Sequence, residues 1–237
     1  MTPFIVKCEQ ITKRYGKKAA LDRFEVSLPA GRVVGVLGPN GCGKSSFFRL
    51  LTGLIRPDEG RVEVLGQEPG WRTNGNIAYL PDRARWYPNL TARQALEWGD
   101  AFLPGFRLEA AVRFAELMDV DLEMKVGGMS RGQEARLLLI LCMARDVPLI
   151  ILDEPFAGID VLSREAIVSG IIEYLEDRQQ SVLISTHDIH EVEGLFDYTV
   201  MMDRGRVIWS GETEDLRAEY GSLDRVFRSL YKKEWKR

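Results

Sequence analysis

No apolar run in this 237-residue chain approaches the ~20 residues of a membrane-spanning helix. The longest, Leu137–Ala144 and Leu149–Leu152, have lengths suited to core elements. The opening, Met1-Thr-Pro-Phe-Ile-Val-Lys7, lacks the charged-then-apolar order of a secretory signal. Cysteine is scarce: Cys8, Cys42 and Cys142 share neither metal-ligand nor disulfide spacing, which fits a reducing compartment. Strong charge of either sign is missing. A formal net charge of −3 and a pI near 5.6 provide no cationic field, so a general nucleic-acid binder is disfavoured. No internal repeat or low-complexity stretch interrupts the chain. These absences predict a soluble, cytoplasmic protein.

What is present is a large apolar fraction, 45%, enough for a substantial core. The N-terminal third reads as strands over Phe4–Glu9, Arg23–Leu28, Val33–Leu37, Gly60–Leu65 and Asn76–Leu80, punctuated by Gly16, Pro29-Ala-Gly31 and Pro57-Asp-Glu-Gly60. From Thr91 to Arg145 the apolar period turns helical, as in Ala92–Trp98 and Leu108–Met118. Buried-looking strands Leu149–Leu152 and Ser181–Ser185 follow, separated by a helix over Ser163–Asp177. Tyr198–Met202 and Arg206–Ser210 read as a late hairpin. Strands alternating with helices predict an α/β fold with a mainly parallel sheet covered on both faces.

Four segments carry chemistry. Gly38-Pro39-Asn40-Gly41-Cys42-Gly43-Lys44-Ser45 fits the phosphate-binding loop, after a strand and before a helix starting near Ser46. Its glycines permit a tight turn that aims N–H groups at phosphate oxygens; Lys44 adds a compact charge, and the Ser45 hydroxyl can ligate Mg²⁺. Asp153 and Glu154 follow a continuous apolar strand, where α/β sheets meet their ligands. Asp153 suits Mg²⁺, and Glu154 can orient a water for attack on a γ-phosphate. His187 ends another apolar strand and should emerge on the same edge, while His190 has no assigned role. Ser130 and Gln133 fit a capping box for a helix running to about Asp146, its apolar face made by Leu137, Ile140, Leu141 and Ala144.

Over about residues 4–215 these features together resemble the ATP-binding-cassette ATPase subunit of a membrane transporter. Met129-Ser130-Arg131-Gly132-Gln133 matches that family's signature, usually Leu-Ser-Gly-Gly-Gln. The resemblance implies a phosphate-loop NTPase core with an N-terminal antiparallel β part, at about 1–88 and 146–220. An inserted helical subdomain at about 89–145 and a tail at 221–237 complete a single ATPase domain. It implies ATP and Mg²⁺ as ligands, with Tyr15 stacking on adenine and the loop from Gly38 through Ser46 holding phosphates. Ser45, Asp82 and Asp153 would serve the metal, and Glu154, His187 and Lys44 catalysis. Ser130, Gly132, Gln133 and Asp160 would act across a dimer enclosing two ATP. Partners would be a second ATPase subunit and separate transmembrane permease subunits, with the protein peripheral on the cytoplasmic face of the membrane and no nucleic acid bound. The Tyr79-Leu-Pro-Asp82 variant and the Phe102–Phe106 segment resemble prokaryotic exporter ATPases for drugs or antimicrobial peptides. The rivals are a cassette acting on DNA or ribosomes and a regulatory nucleotide-binding module with little turnover.

Two residues depart from the family pattern. Arg131 replaces a signature glycine, so its side chain must point away from the phosphate or meet a phosphate or an opposing chain. Asp82 stands where glutamine is common, adding charge beside an anionic nucleotide. The stretch Arg83-Ala-Arg-Trp-Tyr-Pro88 combines arginine and aromatics, as interface hot spots do, and is the candidate docking surface. Cys42, beside Lys44 at a helix N-terminus, is expected to favour its thiolate. The tail Tyr231–Arg237 reads as a solvated basic end or a membrane-surface contact.

Overall fold

Val33, Val34, Val36 and Leu37 are all buried, and the strand they form is flanked by partners on both sides. The computed structural model of the chain describes residues 4–175, 180–187, 189 and 192–232. His190, the tail beyond Lys232 and the last two residues of the helix expected over Ser163–Asp177 lie outside them. Among the described residues no helix is long and apolar enough to cross a membrane. The chain divides into two compact units, 1–74 with 181–237, and 75–180.

In the first unit, β1 (Phe4–Tyr15) pairs antiparallel with β2 (Lys18–Pro29) and with β4 (Glu59–Val64), giving a three-stranded sheet ordered β2-β1-β4. In a second layer β3 (Val33–Leu37) lies parallel between β7 (Ser181–Thr186) and β8 (Tyr198–Asp203), and β9 (Arg206–Glu212) pairs antiparallel with β8. Helix α1 (Lys44–Leu51) follows β3 and buries Phe47, Phe48, Leu50 and Leu51; the Phe47 ring lies 4.9 Å from Phe24 of β2. That anchor holds the start of α1 in place. A single turn, α2 (Trp71–Asn74), ends the first part of this unit.

The second unit holds β5 (Ile77–Leu80) parallel to β6 (Leu149–Asp153), with α3 (Ala92–Phe102), α4 (Leu108–Leu117), α5 (Arg131–Met143) and α6 (Val161–Leu175). α5 is buried at Leu137, Leu139, Ile140, Leu141, Cys142 and Met143, which occupy more than one face. The expected single apolar stripe is therefore too narrow, because α3, α4 and α6 all pack against this helix. α5 also ends at Met143, short of Asp146. Arg145 turns inward there and donates to the carbonyls of Ile77 at 2.7 Å, Pro104 at 2.9 Å and Gly75 at 3.2 Å. Helices α7 (Thr213–Tyr220) and α8 (Leu223–Lys232) return to the first unit.

Candidate nucleotide site

The phosphate-loop residues belong to the first unit. α1 starts at Lys44, two residues before the expected Ser46, because Gly43 at φ 118° caps it and the Phe47 N–H donates to the Gly43 carbonyl at 2.9 Å. An L-residue could not replace Gly43: a Cβ there would stand 2.5 Å from the Ala20 carbonyl oxygen. Between Gly38 and Gly43 the Cys42 N–H donates back to the Pro39 carbonyl at 3.2 Å, so Pro39, Asn40 and Gly41 form a tight turn. Lys44 is buried, and its Nζ donates to the Gly38 carbonyl at 2.8 Å and to that of Pro39 at 3.4 Å. The ammonium is thereby folded over the loop it follows. Ser45 and Ser46 lie half-buried in the first turn of α1, where helix N–H groups favour an anion.

Strand register places two further candidates. Leu37 pairs with Thr186 of β7, so Gly38 and the exposed His187 leave neighbouring strands at one sheet edge. Tyr15 ends β1 at the tip of the β1–β2 hairpin and is 48% exposed, an open ring face for a planar ligand.

Cys42 departs from expectation. Burial is the largest influence on its thiol and pushes the pKa above its ordinary value; Lys44 opposes this only in part, and Asp203 reinforces it. The thiol, not the thiolate, is the resting form. A neighbouring cation and a helix N-terminus were visible in the sequence, whereas burial at 4% exposure was not.

The acidic candidates belong to the second unit. Leu80 of β5 pairs with Leu152 of β6, bringing Asp82 and the Asp153–Glu154 pair to adjacent strand ends. All three line one cleft of about 580 Å³, together with Arg83, Arg85 and Arg131. Asp153 is buried, whereas Glu154 is half-buried with its backbone at φ 53°, a left-handed conformation rare outside glycine. Two carboxylates suit Mg²⁺, which takes one or two protein oxygens and completes its shell with phosphate and water. Among the described residues no group of three metal-ligating side chains exists, and Mg²⁺ held in this way needs none.

Ser130 caps α5 as expected: its Oγ accepts the Gln133 N–H at 3.2 Å, and Gln133 Oε1 accepts the Ser130 N–H at 2.9 Å. Ser130 is exposed, Gln133 half-buried and Gly132 buried. Arg131 turns toward the loop after Glu154, its Nη1 lying 3.9 Å from where a Cβ on Gly158 would stand. Asp160 is exposed and accepts the Arg164 N–H at 3.0 Å, which opens α6. Arg85 pairs with Glu134, tying the 83–88 stretch to α5.

The docking stretch expected around Trp86 and Tyr87 extends further than the sequence reading placed it, onto Trp98 and Phe102 of α3. The rings of Trp86, Tyr87, Trp98 and Phe102 form a ladder with successive centroids 5.8, 5.3 and 6.0 Å apart. Tyr87, Trp98 and Phe102 are exposed large apolar side chains. The four-residue spacing of Trp98 and Phe102 on one helix was the available signal.

Comparison with known proteins bears on these features. A family model described as ABC transporter matches residues 21–157. A daunorubicin resistance ATP-binding protein of Streptomyces coeruleorubidus is 36% identical over 90% of this chain and 70% of its own length. The SkfA peptide export ATP-binding protein of Bacillus subtilis is 30% identical over 86% of this chain and 87% of its own. Import ATP-binding proteins for sulfate and for osmoprotectants match as well. Among solved structures, the ADP conformation of an ATP-binding cassette of an ABC transporter superposes with a TM-score of 0.78 and 24% identity, covering 97% of this chain and all of that one. That last likeness concerns the fold.

Proposed function

The chain belongs to the ABC transporter family as an ATP-binding, ATP-hydrolysing cassette, and from that premise we propose that it closes as a dimer around two ATP to power export through separate membrane subunits. The observation that supports this most is the phosphate loop, wound around left-handed Gly43 with the Lys44 ammonium folded over it. The residues from Gly38 to Ser46 hold the phosphates, and Tyr15 stacks on adenine. Ser45, Asp82 and Asp153 would hold Mg²⁺, which would neutralise charge developing on the transferred phosphate. Glu154 accepts a proton from the attacking water and orients it, His187 donates toward the γ-phosphate, and Lys44 balances its charge.

Ser130 carries the cross-subunit role. Its Oγ already accepts the Gln133 N–H, so its own hydroxyl proton remains to be donated outward, beside the α5 N-terminus, to the γ-phosphate of a second copy. Gly132, Gln133 and Asp160 border the same contact. In this reading the helices of about 89–145 form the inserted subdomain, and 1–88 with 146–220 the ATPase core. The aromatic ladder with Arg83 and Arg85 receives the permease, holding the protein at the cytoplasmic face of the membrane. Export is favoured over import by the 36% identity to a drug-resistance cassette.

Phosphate release by wild type and Glu154→Gln tests the core of the proposal. Wild type turns over ATP, whereas the variant binds ATP and releases phosphate at least about a hundredfold more slowly. Equal turnover by the two removes Glu154 from the chemistry. Isolation of the protein with ribosomes or DNA, rather than with membranes, would favour the other class of cassette.

A further inference from the structure

The first glycine of the phosphate loop is pressed against a main-chain carbonyl. Leu37 pairs with Met201, so Met202 of β8 comes abreast of Gly38. A Cβ on Gly38 would stand 2.5 Å from the Met202 carbonyl oxygen and 2.6 Å from Cys42 Sγ. The same carbonyl oxygen accepts the phenol of Tyr231, in α8, at 2.7 Å. The β8–β9 register shifts here, Met201 pairing with Trp209 and Met202 with Val207, so that Ile208 is the extra residue of a bulge opposite this point. From the other side, the Gly205 N–H donates to the Cys42 carbonyl at 2.8 Å. The loop is therefore seated on the β8–β9 turn at two points, and α8 holds one of them.

α8 is placed to do so. Leu223 and Val226 are buried, the Asp224 N–H donates to Glu193 Oε2 at 3.3 Å, and the Phe227 and Tyr231 rings lie 4.4 Å apart. We infer that Tyr231 is a positioning residue for nucleotide: by holding the Met202 carbonyl it fixes the seat of Gly38 and so the curvature of the phosphate loop. The physical link is the lack of any side chain between them. A carbonyl that loses its donor at a part-buried seat shifts toward another, and a glycine in direct contact follows with its own main chain. α8, remote in sequence from the loop, thus sets nucleotide affinity. The inference rests on the phosphate-loop reading above.

The test titrates the full-length chain with Mg-ATP. Tyr231→Phe keeps the ring beside Phe227 and removes only the hydroxyl. It raises the ATP Kd and KM by about two- to tenfold, the range of one lost hydrogen bond, with kcat within about twofold of wild type. Arg228→Ala, which removes the exposed ion pair with Asp224 on the same helix, leaves the Kd unchanged. Unchanged Kd in Tyr231→Phe overturns the inference while the phosphate-loop reading stands. Equal weakening in Arg228→Ala also overturns it, because helix stability alone would then be at work. Failure of wild type to bind ATP sinks the phosphate-loop reading and this inference with it.

Discussion

Glu154 holds its carboxylate from left-handed backbone, a conformation costing about 1–2 kcal/mol in a non-glycine residue. The residue follows a buried strand at the lip of a cleft, where strain of this kind accompanies function. Asp82 lies in that cleft and supplies a carboxylate where an amide is common in the family. Asp82→Gln is expected to keep ATPase activity within about an order of magnitude and to raise the Mg²⁺ concentration for half-maximal turnover, since a neutral oxygen binds Mg²⁺ less tightly. A magnesium titration of steady-state turnover reads this, and a folded, nucleotide-binding variant without turnover contradicts it. At this scale the sequence pointed to candidate groups, because phosphate and metal demand particular side chains at particular spacings, and the structure brings Asp82, Asp153 and Glu154 into one cleft. Environment was less legible. The Cys42 thiol follows its burial rather than its cationic neighbour, and Arg131 faces the Ala157–Gly158 turn, a contact set by tertiary packing.

Arg145 ties the end of α5 to two other pieces of the second unit, donating to the carbonyls of Gly75 and Ile77 at the start of β5 and to that of Pro104 between α3 and α4. Removing it orphans buried acceptors. Arg145→Met should destabilise the protein by about 3 kcal/mol, read as a lower urea midpoint at unchanged slope, and Arg145→Lys should recover only part of that. A midpoint within error of wild type refutes this bracing role. The same residue explains why α5 stops before its expected end. Strands buried on both faces, β3, β6 and β7, were legible almost to the residue, since continuous apolar runs bounded by polar residues have few other readings. The outer halves of β1 and β2 were not. The β1–β2 register shifts between Cys8 and Ile11, with Gln10 at φ 50°, which breaks the two-residue alternation that marks a strand. Helix α5 announced itself through its capping box and α3 through its apolar period, while the Thr91–Gln94 box that opens α3 went unread.

For the whole molecule, the phosphate-loop set and the signature set belong to different compact units of one chain. The α/β architecture was legible because strand and helix periods alternate in order. The expectation of partner subunits rests on the family alone, since the chemistry of other chains is not encoded in this one. The signature serine caps a helix and accepts the Gln133 N–H there; on the function proposed above, dimer closure on ATP follows from giving its hydroxyl a phosphate to bind. Sedimentation velocity of Glu154→Gln at saturating Mg-ATP tests this most directly. A species of twice the monomer mass should appear with Mg-ATP and vanish when nucleotide is removed or Ser130 is changed to bulky Phe. A protein that binds Mg-ATP fully and remains monomeric up to about 100 μM, well above the Kd of most specific complexes, would contradict the account.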